Sequence, residues 1–141
     1  MTVKKGRTQT YILKGEPEAL FLRRSEDIIG WNNHKEKKII TDISFETQHN
    51  DMPLFSGALA FDAIFYFRTP IKVTSRVKAR DGDFQSKVPS VLMLFNFLEH
   101  SAKGIIFAET GNIAQLSAVK LYDSEPRTVF TITELYGKKE S

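Results

Sequence analysis

The sequence predicts an α+β domain, a mixed sheet with two helices, in the order strand, helix, strand, helix and then further strands. Three observations lead there. The run Leu59–Phe67 places apolar residues at period two, the stretch VLMLFNFLEHSAK is bounded by Pro89 and Ser90 on one side and Gly104 on the other, and the last third carries two β-rich segments. With 141 residues, 41% of them hydrophobic, the chain can bury one ordinary core, so a single domain over residues 1–141 is expected.

Thr10–Lys14 is β-branched and aromatic, ends at Gly15, and reads as a first strand. The polar segment Glu16–Asn33, with Pro17, Gly30 and paired asparagines, reads as a long loop that carries Arg23 and Arg24. From His34 to His49 two readings compete. Ile39, Ile40 and Ile43 suit a helix, while Ile39, Ile43 and Phe45 also suit a strand; the length favours the helix. Asn50, Asp51, Met52 and Pro53 break it, and Ser56 with Gly57 leads into the period-two strand. There Leu59, Phe61, Ala63, Phe65 and Phe67 share a core face, and Asp62 lies on the other with Ile64 and Tyr66. An aspartate inside a sheet pairs with a basic neighbour more often than it does chemistry.

Pro70 ends that strand, and an exposed, mobile loop is expected up to Pro89 and Ser90, which start the apolar helix. Gly104 stops it, since the missing Cβ permits a left-handed cap. Ile105–Phe107 reads as a short strand and Glu109–Asn112 as a turn. Ile113–Tyr122 and Thr128–Thr133 read as a hairpin around Asp123, Ser124, Glu125 and Pro126.

Composition narrows the chemistry. Cysteine is absent, which excludes disulfides and thiolate metal sites. His34, His49 and His100 lack the spacing of a zinc site and read as surface or boundary residues. No long apolar run and no signal-like N-terminus are present, so a soluble, cytosolic protein with no membrane contact is expected. The formal charge is +3, but between Arg68 and Lys87 stand Arg68, Lys72, Arg76, Lys78, Arg80 and Lys87 against only Asp81 and Asp83. That stretch is more positive than the whole chain. Arginine forks suit phosphate, and Phe84 lies among them, so phosphate-backbone binding competes with a merely solubilising surface.

Several segments in order resemble the RusA-type Holliday junction resolvases: YILKGEPEAL followed by Arg23 and Arg24, QHNDMPLFSGALAFDAIFYF, the helix ending in KGIIF, and KLYDSEPRTVFTIT. The resemblance extends over residues 11–133. It implies a homodimer acting on branched DNA, with a helix opening Pro-Asp-any-Asp-Asn-Leu and a second acidic pair after the following strand, which together gather Mg²⁺. Aligned at Pro89 and Gly104, the helix aspartates fall on Ser90 and Leu92 and the motif asparagine on Met93. A basic residue of the helix falls on Asn96, and the second acidic pair on Glu109 and Thr110. Of these carboxylates only Glu109 remains, so the resemblance implies a scaffold without its metal chemistry.

Three functional readings stay open. The first is a non-catalytic DNA-binding dimer. The second is a Mg²⁺-dependent endonuclease with a displaced carboxylate set, Asp81, Asp83 and Glu109 with Glu99 nearby, although Asp81 and Asp83 equally suit a solvated turn capped by aspartate. The third is a protein interaction module that uses the apolar helix start, which is either core or a surface for a second copy.

Overall fold

The computed structural model describes residues 3–20, 35–70 and 79–137. These form strands β1 (Val3–Lys14), β2 (Leu59–Arg68), β3 (Ile113–Asp123) and β4 (Arg127–Gly137), with helices α1 (Lys35–His49) and α2 (Val91–Ala102). The fold is α+β, and the four strands make one mixed sheet in the order β1-β4-β2-β3. β4 pairs antiparallel with β1 and β2, and β2 pairs parallel with β3.

Both helices pack on one face of this sheet. Phe130 stacks on Phe61 and Tyr11 at centroid distances of 4.9 and 5.2 Å, Phe45 of α1 meets Phe130 edge-on at 5.4 Å, and Phe95 of α2 meets Phe61 edge-on at 5.1 Å. Each buried ring contributes roughly 2–3 kcal/mol of transfer free energy, and the edge-on geometry adds to it. The period-two reading of β2 holds: Leu59, Phe61, Ala63 and Phe65 are buried and Phe67 packs against the same cluster. On the opposite face the register lines up Ile12, Val129, Ile64 and Val119 in one row across all strands. The adjacent row is Thr10, Thr131, Asp62 and Ser117. Asp62 is exposed there, not inward, and has no ion pair among the described residues.

The hairpin expected from Ile113 to Thr133 is not formed, because β2 lies between β3 and β4. Placing the most apolar strand centrally covers both of its edges. Ser124–Pro126 then crosses the end of β2, a span of about 10 Å that three residues can reach. Ile105–Phe107 is a turn and not a strand. Gly104 adopts φ +85°, its N–H donates to the Phe107 carbonyl at 2.8 Å, and the segment makes only isolated bridges, from Phe107 to Phe55 and to Lys103. β1 starts at Val3, well before the expected Thr10, since β4 continues to Gly137 and pairs with it.

α1 is helical as its length suggests, but its buried residues are Thr41, Phe45 and His49, and Ile39, Ile40 and Ile43 are exposed. The helix ends where Asn50 and Asp51 take left-handed φ of 49° and 60°. His49 is buried, 4% exposed, which corrects the surface reading. Its Nδ1 lies 2.6 Å from the Tyr11 hydroxyl and its Nε2 3.2 Å from the Pro53 carbonyl. Arg7 donates to the same carbonyl at 2.8 Å and lies 3.8 Å over the Phe55 ring. Burial pushes the Tyr11 phenol up to about 12, against a smaller lowering by Arg7. The Pro53 carbonyl can only accept, so Nε2 carries a proton, and in the neutral ring Nδ1 then accepts from the Tyr11 hydroxyl. Among the described residues no helix is long and apolar enough to cross a membrane.

Candidate nucleic-acid interface

Both ends of the basic loop are pinned at the same end of the sheet. Thr69 N–H donates to the Asp123 carbonyl at 3.0 Å as the chain leaves β2, and its hydroxyl donates to Asp81 Oδ1 at 2.5 Å as the chain returns. The returning segment pairs with the outer edge of β3. Gly82 N–H donates to Tyr122, Tyr122 N–H to Asp83 and Gln85 N–H to Lys120, at 2.8, 2.9 and 3.0 Å. Lys120 then fastens the way out: its ammonium donates to the Lys87 carbonyl and, at 2.8 Å, to the Pro89 carbonyl. Burial lowers the Lys120 pKa from the ordinary lysine value.

This clamp sets Arg68, Arg80 and Lys87, all exposed, around one end of the sheet. Lys14 and Arg127 face one another there across β1 and β4. Arg127 lies 3.9 Å over the Tyr66 ring and binds Asp123 at 2.6 Å. The hydrogen bond from Arg127 holds the Asp123 carboxyl below its ordinary value, and Asp123 raises Arg127 in return. Asp81 and Asp83 are turn formers: the first accepts from Thr69 and the second from Arg80 N–H at 2.9 Å. Glu16 accepts from the Arg68 N–H at 3.1 Å. Charge on the described part of this end is nearly balanced, and the sequence of the loop adds Lys72, Arg76 and Lys78. Those three, with Arg23, Arg24 and His34, lie outside the described residues, as does most of the expected loop from Glu16 to Asn33.

The positions aligned with the family's metal ligands do not converge. Ser90 caps α2, its Oγ accepting from Met93 N–H at 3.3 Å, and the adjoining Pro89 contacts Lys120 near the end of β3. Leu92 is 61% exposed and Asn96 is half-buried. Glu109 and Thr110 lie in the 3₁₀ turn that precedes β3, where Glu109 N–H donates to the Asn112 side chain at 2.8 Å. The eleven residues of β3 therefore separate Glu109 from Asp81 and Asp83 by roughly 30 Å. Among the described residues no group of three or more His, Asp or Glu could hold a metal ion. The helix start divides between the two readings given to it: Val91 and Leu92 are exposed, whereas Leu94, Phe95, Phe97 and Leu98 are core.

Compared with known proteins, the chain matches no family model and no curated protein. Lys120 is the residue of this region that sequence reading passed over. Its signal was a lone lysine within the apolar run Ala118–Tyr122, but its partners are more than 30 residues away.

Proposed function

We propose that this chain is a RusA-like protein that binds branched or duplex DNA through the phosphates, as a cytosolic homodimer, without the Mg²⁺-dependent cleavage of the resolvases it resembles. The observation that carries the reading is the clamped base of the basic loop. Asp81 and Asp83 each hold the turn through a hydrogen bond, Arg68, Arg80 and Lys87 are exposed beside them, and the sequence of the loop adds Lys72, Arg76 and Lys78. Phosphate contacts set affinity and orientation and carry no base information, so selectivity would come from DNA shape. The distance between Glu109 and the loop carboxylates argues against a displaced metal site, since Mg²⁺ needs hard oxygen ligands within about 2.1 Å of itself.

The second reading, a protein interaction module, is favoured by the exposed Phe84, Val88 and Leu92. One experiment separates the readings. Junction, duplex and single-stranded DNA are titrated in gel shifts over several salt concentrations, with and without Mg²⁺. Binding without cleavage is expected, with Arg76→Ala, Lys78→Ala and Arg80→Ala together lowering the salt slope by about three. An unchanged slope and affinity would refute the role of the loop. Cleavage would restore the nuclease reading, and no binding at low salt would leave the interaction module.

A further inference from the structure

The two edges of the sheet are treated differently. On β1 the side-chain amide of Gln48 acts as a surrogate peptide, accepting from Ile12 N–H and donating to Ile12 C=O, both at 2.8 Å. On β3 the returning loop covers Lys120 and Tyr122. Those bonds show that even-numbered residues turn their backbone groups outward, and the register from Gln115 to Asp123 is unbroken. Leu116 and Ala118 therefore present N–H and C=O outward, with no backbone partner among the described residues.

This stretch also lacks the usual edge defences. From Ile113 to Val119 there is no charge and no proline. On the helix-covered side it is bordered by Leu116 at 44% exposure, and by Val88 at 86% and Leu92 at 61% on the segment that Lys120 ties to β3.

An occupant of such an edge must bring an extended main chain, and a second copy fits: the uncharged stretch meets itself without repulsion, and its outward Leu116 and Ala118 are complementary in size. We propose that two copies of this chain join antiparallel through β3 about a twofold axis at Ser117, merging two four-stranded sheets into one of eight strands. Leu116 of each copy then opposes Ala118 of the other, a large residue against a small one, with about four main-chain hydrogen bonds exchanged. No like charges meet. Pairing ends before Lys120, whose carbonyl is already taken by Gln85. The inference rests on the dimeric part of the proposed function and not on DNA binding.

The chain contains no cysteine, so crosslinking is clean. At the axis the two Ser117 residues form the close, non-hydrogen-bonded pair, with Cα atoms about 4.5 Å apart, within disulfide range. Ser117→Cys should give a covalent dimer under mild oxidation without DNA. Gln115→Cys should not, its two copies lying roughly 14 Å apart. Ala118→Pro removes an outward donor while sparing the ladder to β2, and should give a folded monomer by sedimentation where the parent chain is a dimer. A parent chain monomeric at tens of micromolar, equal crosslinking at both positions, or a dimer untouched by Ala118→Pro would each overturn the proposal. If Ala118→Pro fails to fold, the cysteine pair decides. A peptide from another protein as the occupant corresponds to the monomeric outcome.

Discussion

Replacing Tyr11 by Phe removes one hydroxyl from the centre of the protein and tests the Tyr11–His49 pair directly. The lost bond, 2.6 Å long, leaves a buried imidazole nitrogen without its donor. Such an orphaned acceptor costs about 1–3 kcal/mol, which urea unfolding at neutral pH would resolve. The parent chain carries a second signature. Raising the phenol from 10 to about 12 corresponds to roughly 3 kcal/mol. The folded state holds the proton longer than the unfolded chain, so this stability is complete below pH 10 and is lost as pH rises towards 12. Phenolate absorbance after a rapid pH jump should show one of the four tyrosines ionising late, or only on unfolding, and Tyr11→Phe should delete that step. All tyrosines ionising together near pH 10 in the folded protein, or a Tyr11→Phe variant as stable as the parent, would refute the assignment.

Phe130→Ala should cost about 3–5 kcal/mol by thermal or urea unfolding, because Tyr11, Phe45 and Phe61 all pack on that ring. Gln48→Ala should cost only about 1–2 kcal/mol, since water can replace its two bonds to the exposed Ile12 backbone. Burial, together with Lys38, lowers the His100 pKa from 6.5, so its contribution is present above that pH and fades as the pH falls. His100→Gln should flatten stability just below pH 6.5. Burial raises Glu99 instead, so its contribution is complete below 4.5 and fades as pH rises above it, leaving the two windows separable in the same titration.

Locally encoded features were legible. The alternation of β2, the Ser90 cap and the left-handed Gly104 each depend on a few neighbouring residues, and the sequence predicts all three. Facts fixed by distant partners were not. His49 becomes a core residue only because Tyr11, 38 positions earlier, supplies a donor. The apolar residues of α1 predict the helix but not its buried face, because Thr41 and His49 turn inward while the isoleucines turn out. The short spacing between β3 and β4 suggests a hairpin, and only the packing of β2 on both neighbours places it between them. At the candidate interface the surplus of basic charge was visible, but the clamp by Thr69, Asp81 and Lys120 was not, since each contact bridges 12 residues or more.

The place of β4 has a consequence for synthesis. It is the last described strand to leave the ribosome, yet it occupies the slot between β1 and β2. Thr10 meets Thr131 across 121 residues, so at translation rates of about 5–20 residues per second β1 waits roughly 6–24 s for its neighbour. During that interval Tyr11 and Leu13 have no sheet to enter, and a nascent chain halted before Arg127 holds β1 without a partner strand. β2 and β3 can pair before β4 exists, but the joining of β1 to the sheet is a late event that waits for β4.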